Sequence, residues 1–255
     1  MISLSEAQIM TWLSPILWPF LRVLAVFTAA PIFSSKGFPV RARIALAFFI
    51  AFAAQASLDG QPIISITGPD ALGTVIQQVG IGLAIGFSVR LIFSAVEFAG
   101  EVVGFQMGLN FAAFFDPSLN TQSSAVATFF GQMTTCLFIV LNGHLTILMA
   151  VIKSFEAFPV DQNFLEALKK MQLYNLGSDL FASGLWIALP MIGMLMFVNL
   201  ALGIVSRVAP QMNIYAIGFP ITLTVGLIGI TVTLPMLDQP MMALMERVIN
   251  IFAPR

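Results

Sequence analysis

The sequence predicts an all-α membrane protein, with about six long apolar helices, several of them kinked, and a short amphipathic helix at the C-terminus. Three observations carry that prediction. Hydrophobic residues make up 58% of the chain and charged residues only 9%, with a mean hydropathy of +0.96, which is too apolar for a fold that must keep a wettable surface. The apolar residues fall in long runs separated by short stretches rich in Pro, Gly, Asn and charge. The charges inside those runs, among them Arg22, Glu97 and Glu101, are of the kind that membrane segments keep only with a partner at hand.

Taken in order, Ala7 to Phe33 is the first apolar segment, interrupted by Pro15, Pro19 and Arg22, so a kinked helix is expected with one guanidinium to satisfy. The loop Ser34 to Arg43 carries Lys36, Arg41 and Arg43. Ile44 to Leu58 follows and is too short to span a bilayer by itself. After the turn-rich loop Asp59 to Asp70, a helix is expected from Ala71 through Arg90 and onward until Pro117 and the run SLNTQSS break it. A further helix is expected from Val126 to Ile152, with Asn142, Gly143 and His144 near its end, and then a mixed-charge segment from Lys153 to Asp179. Leu180 to Ser206 and Val208 to Leu237 read as the arms of a hairpin around SRVAPQMN, and Asp238 to Arg255 as the amphipathic end.

The positive-inside rule does not decide an orientation. Lys36, Arg41, Arg43, Arg90 and Arg207 on one side balance Lys153, Lys169, Lys170, Arg247 and Arg255 on the other. Such a balance suggests that not every segment spans independently. The first ten residues lack the basic start of a cleaved signal peptide, and the N-terminus is expected to stay.

Composition and motifs also narrow the function classes. A net charge of −1 without a basic run gives no footprint for nucleic acid. The single cysteine, Cys136, cannot form an internal disulfide and is expected to be a buried, inert thiol. His144 is the only histidine and has no second ligand at metal-binding spacing, so no metal is expected. There is no Gly-x-Ser-x-Gly elbow and no Gly-rich phosphate loop, so no catalytic residues, enzymatic activity or cofactor are expected either.

The unusual stretch is Val96 to Ser124. At about 100° per residue, Arg90, Glu97, Gly100, Glu101, Gly104, Gly108, Phe111 and Phe115 share one helical stripe. Gly100, Gly104 and Gly108, spaced every fourth position, allow a second helix to approach at backbone distance, which favours tight packing. Glu97 and Glu101 could share a proton or bind a cation; the favoured reading is buried charge pairing with Arg90 or with a cation on a neighbouring subunit. Phe111, Phe114 and Phe115, followed by Asp116 and Pro117, suit a plug in a pore, with ordinary core packing as the alternative for any single one of them. A small-solute or proton-coupled transporter using the two glutamates is a competing class, but no second copy of the stretch supports a repeat.

Together, AGEVVGFQMGLNFAAFFDP, LNGHL, NLALGIVSRVAPQMN and IGFPITLTVGL resemble the FliR family over essentially the whole chain. That family supplies an export-gate subunit of the flagellar type III secretion system, and a homologous injectisome subunit is the near alternative. The resemblance implies a FliP-like unit over residues 1–176 fused to a FliQ-like hairpin over 177–255. It implies a place with FliP and FliQ in one gate, docked with FlhA and FlhB, passing unfolded export substrates through the bacterial inner (cell) membrane at the flagellar basal body, in contact with membrane lipid. It also implies a channel plug at about residues 106–122, carried by Phe111, Phe114, Phe115 and Asp116. Arg207, Pro210, Gln211, Asn213 and Pro220 would form the hairpin bend and its packing. The family departs from this chain at Ile221, where FliQ proteins tend to have a lysine.

Overall fold

The structure is a computed structural model that describes residues 6–55, 64, 68–109, 124–161, 164–211 and 213–253. The described elements are helical: α1 (Glu6–Ala29), α2 (Val40–Ala54), α3 (Ala71–Gln106), α4 (Ala125–Val140), α5 (Gly143–Ala157), α6 (Phe164–Met171), α7 (Tyr174–Val208), α8 (Ile214–Thr233), a 3-10 turn (Leu234–Met236) and α9 (Asp238–Phe252). Four stretches among them are long and apolar enough to cross a membrane: Trp12–Ala29, Ala71–Gln106, Phe164–Val208 and Ala216–Met236. The α4 and α5 pair makes a fifth if counted as one broken span. The chain is therefore an all-α membrane protein.

α2 is as short as expected, and two other boundaries differ from expectation, each for a local reason. α2 has 15 residues, about 22 Å of helix against a hydrocarbon core of about 30 Å, so it does not join the spans. The expected Val126–Ile152 helix is divided because Asn142 adopts left-handed backbone at φ 55, which no helix can continue through. α3 stops at Gln106 instead of running to Pro117, because Gly108 at φ 80 closes it and the Leu109 N–H turns back to the Gly104 carbonyl at 3.1 Å.

Packing divides the chain into two compact units. The first comprises Met1–Leu91, Asn142–Leu176 and Leu244–Arg255. Here α1 buries Val23, Val26 and Phe27, and its Trp18 indole donates to Ser14 Oγ at 3.0 Å, so the largest apolar side chain enters the core with its polar atom satisfied. α3 comes against α1 at backbone distance through two glycines one turn apart. A Cβ at Gly82 would strike the Arg22 carbonyl, and one at Gly86 would lie 2.5 Å from Ala29 Cβ. α2 packs on α1 and turns only alanines inward, Ala47, Ala51 and Ala54.

The second unit comprises Ile92–Leu141 and Gly177–Ala243. Its core is a stripe on α3, Val96, Ala99, Val103 and Met107, packed with Val126 and Phe130 of α4, Ile187, Met191 and Leu195 of α7, and Ile230 of α8. Spacings of three and four residues along α3 put that stripe on one face. α7 crosses close by, since a Cβ at Gly184 would lie 2.6 Å from Phe98 Cδ1 and 2.7 Å from the Ala95 carbonyl oxygen. Phe98 and Phe181 meet edge to face beside it, with ring centroids 5.4 Å apart.

The close α1–α3 approach generates a prediction. Gly86→Leu should destabilise the chain by about 1–3 kcal/mol through overpacking. Gly193→Leu on α7, where a Cβ meets nothing within 4 Å, should leave the melting midpoint in detergent within error of wild type. Equal midpoints for both variants would contradict the packing described.

Candidate functional site

In the second unit, the described structure fastens both ends of the segment 110–123, which contains the expected plug residues Phe111, Phe114, Phe115 and Asp116; those four lie outside the described residues. At the outgoing end, α3 closes over Gly108, and the Met107 side chain lies on Gly226 of α8, where a Cβ would sit 2.5 Å from its Cγ. The buried Thr222 hydroxyl shares its proton between the Phe219 carbonyl at 3.1 Å and the Met107 carbonyl at 3.4 Å. At the returning end, Glu101 Oε1 accepts from the Ser124 backbone N–H at 3.0 Å. Ser124 in turn caps α4, its Oγ accepting from the Ala127 N–H at 3.0 Å. A carboxylate accepting from a main-chain amide makes a charge-assisted bond, stronger than a neutral one.

The other predicted residues fall as follows. Gly100 is buried, and a Cβ there would lie 2.7 Å from Ala127 Cα, so the α4 backbone of the same chain occupies the space that the missing side chain leaves. Gly104 is buried, while Gly108 supplies the left-handed turn. Glu97 is exposed but folds over α4, with Oε1 2.8 Å from where a Cβ of Gly131 would stand. Arg90 is exposed, in the first unit.

At the hairpin bend, Arg207 sits in the last turn of α7. Arg207, Pro210 and Gln211 are exposed, and the Asn213 carbonyl starts α8 by accepting from Ala216 and Ile217 at 3.1 and 3.3 Å. Pro220 lies exposed within α8, and Thr224 donates to its carbonyl at 2.7 Å. Cys136 is exposed rather than buried, because α4 turns Val126, Phe130, Thr134 and Phe138 inward and Cys136 lies on the opposite side.

The first unit holds a buried polar node. Arg22 is wholly enclosed: Nε donates to Gln78 Oε1 at 2.8 Å, Nη1 to Ser154 Oγ at 3.0 Å and Nη2 to the Phe158 carbonyl at 2.9 Å. The Phe155 ring lies 3.8 Å from its guanidinium carbon. The network continues through Gln78 Nε2 to Gln77 Oε1 at 2.7 Å, and Gln77 holds Asp161 by both its side chain and its backbone N–H. Sequence reasoning identifies Arg22 as needing partners but misses these acceptors. Two adjacent glutamines in an otherwise apolar helix were the available signal.

The profile of the bacterial export proteins, family 1, matches residues 13–248. The chain belongs to that family. Members with flagellar names are similar nearly end to end. The flagellar biosynthetic protein FliR of Escherichia coli K12 is 37% identical over 99% of this chain and 97% of its own length. FliR of Pectobacterium carotovorum is 36% identical over the same shares. FliR of Bacillus subtilis is 30% identical over 84% of this chain and 83% of its own. The apolar helices and the membership in this export family agree on a membrane protein.

The Arg22 node can be tested directly. Arg22→Met should strand three acceptors and cost about 1–3 kcal/mol for each buried group left unpaired. Arg22→Lys should restore little, because one ammonium cannot reach three acceptors arranged around a planar fork. Melting midpoints of the purified variants are the measure, and full recovery with lysine would contradict the fork geometry.

Proposed function

We propose that the chain is a subunit of the flagellar type III protein export gate, assembled with FliP and FliQ in the bacterial inner membrane at the flagellar basal body and docked with FlhA and FlhB. The near full-length similarity to FliR proteins carries this reading. It also favours the flagellar gate over an injectisome. In this reading residues 1–176 form the FliP-like part and 177–255 the FliQ-like hairpin. The chain acts by shape and sealing, not by catalysis.

Segment 110–123 would be the closure of the channel. Large apolar side chains such as Phe111, Phe114 and Phe115 exclude water and ions from a constriction, yet bind no particular sequence and so give way to an unfolded polypeptide. What supports that role is the fastening of both ends, at Met107 and at Ser124. A seal that must be displaced and then return needs fixed ends and a compliant middle. Arg90, Glu97, Glu101 and the glycines Gly100, Gly104 and Gly108 belong to the helix that carries the outgoing anchor.

Deleting Phe111 to Asp116 should leave co-purification with FliP and FliQ intact while the closed gate conducts ions, read as arrested growth on expression and as conductance in planar bilayers. A deletion complex as tight as wild type would end the plug assignment. Loosening a single anchor should do less: Glu101→Ala or Thr222→Val should preserve assembly and raise ion leakage above wild type, but below the deletion. Leakage unchanged in both variants would mean that the anchors do not hold the seal.

A further inference from the structure

The hydrogen bonds of Arg22 meet its donors but not its charge. The acceptors on its three nitrogens, Gln78 Oε1, Ser154 Oγ and the Phe158 carbonyl, are all neutral. An enclosed cation facing only dipoles remains costly, because dipoles offset a charge less fully than an opposite charge does. Among the described residues, the acid whose field acts on the guanidinium is Asp161, half-buried just past α5 where the chain leads on to α6.

Two amides join the pair, and the ends of the series fix how both are turned. A guanidinium can only donate, and an ionised carboxylate can only accept. Arg22 Nε donates to Gln78 Oε1 at 2.8 Å, which leaves Gln78 Nε2 to donate onward, to Gln77 Oε1 at 2.7 Å. Gln77 Nε2 then donates to Asp161 Oδ1. Every proton in the series points from cation towards anion, and bonds aligned in this way polarise one another. The Gln77 amide is used to capacity: it also donates to the Pro159 carbonyl at 3.2 Å and accepts from the Asp161 backbone N–H at 3.0 Å. Both glutamines are buried, which keeps bulk water from breaking the series.

The same corner has two apolar holds. The Phe158 ring meets the buried Phe252 ring of α9, with centroids 6.5 Å apart. The Phe164 ring, at the start of α6, occupies the space that a side chain at Gly80 of α3 would need. Neither contact involves a charge.

We propose that the α5–α6 corner is an ion-locked strap, in which Asp161 is the counter-charge of Arg22, acting through Gln77 and Gln78, and holds the corner closed on α1 and α3. Asp161 is thus a positioning residue that serves a cation it does not touch. Removing its charge loosens the strap even when every side chain keeps its size. The proposal concerns the fold of the first unit and does not depend on the export reading.

Asp161→Asn separates charge from hydrogen bonding, because asparagine keeps the size and one acceptor oxygen. In the purified full-length chain in detergent, it should lower the melting midpoint by about 2–6 °C, the loss expected for one charge-assisted contact in a chain of this size. With Arg22→Met already in place, the same substitution should leave the midpoint unchanged or raise it, since the carboxylate then has no cation to serve. Equal losses in both backgrounds would show that Asp161 is only a local hydrogen-bond acceptor and would overturn the proposal. If Arg22→Met does not fold, amide hydrogen exchange in Asp161→Asn alone decides. Exchange should rise about tenfold both across residues 158–161 and around Arg22 in α1. A rise confined to the corner, or none, would overturn the pairing. Glu166→Gln, which removes an exposed acid on α6 outside the relay, should change neither measure, and an equal effect from it would overturn the proposal too.

Discussion

A guanidinium buried in an apolar helix bundle sets the conditions for the first unit. Removing Arg22 from water costs several kcal/mol unless its donors and its charge are met inside. Meeting them requires two separate stretches of chain in fixed register with α1: Gln78 on α3, and Ser154 on α5 with the carbonyl of Phe158 just beyond it. These acceptors lie 56, 132 and 136 residues from Arg22 in sequence, so the bonds bind distant parts of the chain to α1. Apolar packing alone is tolerant of a helix sliding or turning by a few degrees. A planar cation with fixed donor directions is not, and it selects one arrangement from the many that greasy surfaces permit.

The close approach of α3 to α1 follows from the same residue. Gly82 stands against the Arg22 carbonyl, so the backbone that carries the cation is also the backbone that needs a neighbour without a side chain. The gain in a membrane is van der Waals contact and hydrogen bonding rather than escape from water, because lipid is as apolar as leucine. Extending this helix past the first unit gives the second its central stripe, Val96, Ala99, Val103 and Met107. One continuous α3 of 36 residues thus supplies both the partner of the buried cation and the start of the fastened segment.

The helices themselves were legible in the sequence, because long apolar runs bounded by Pro, Gly and charge leave little else for a backbone that must satisfy its own hydrogen bonds. The short second helix and the hairpin were legible for the same reason. Asn142 was a missed signal: Asn before Gly is among the few pairs that tolerate left-handed backbone, and in an apolar run it marks a break. Gly108 was another, since the reading as a packing position hid its use as a helix stop. The partners of Arg22 and Glu101 were not legible. Nothing in local spacing states that residue 22 meets residue 154, or that the Glu101 carboxylate ends on the amide of Ser124. Such pairings are set by how helices come together, which a single sequence does not encode in any short pattern.

The two anchors of segment 110–123 grip the main chain, a carbonyl at Met107 and an amide at Ser124, rather than the side chains of the segment they enclose. Main-chain groups are the same in every residue except proline. Substitutions between the anchors therefore remove neither of these two bonds. Selection can then vary the bulk, charge and greasiness of positions 110–123 while both main-chain bonds keep their donor and acceptor.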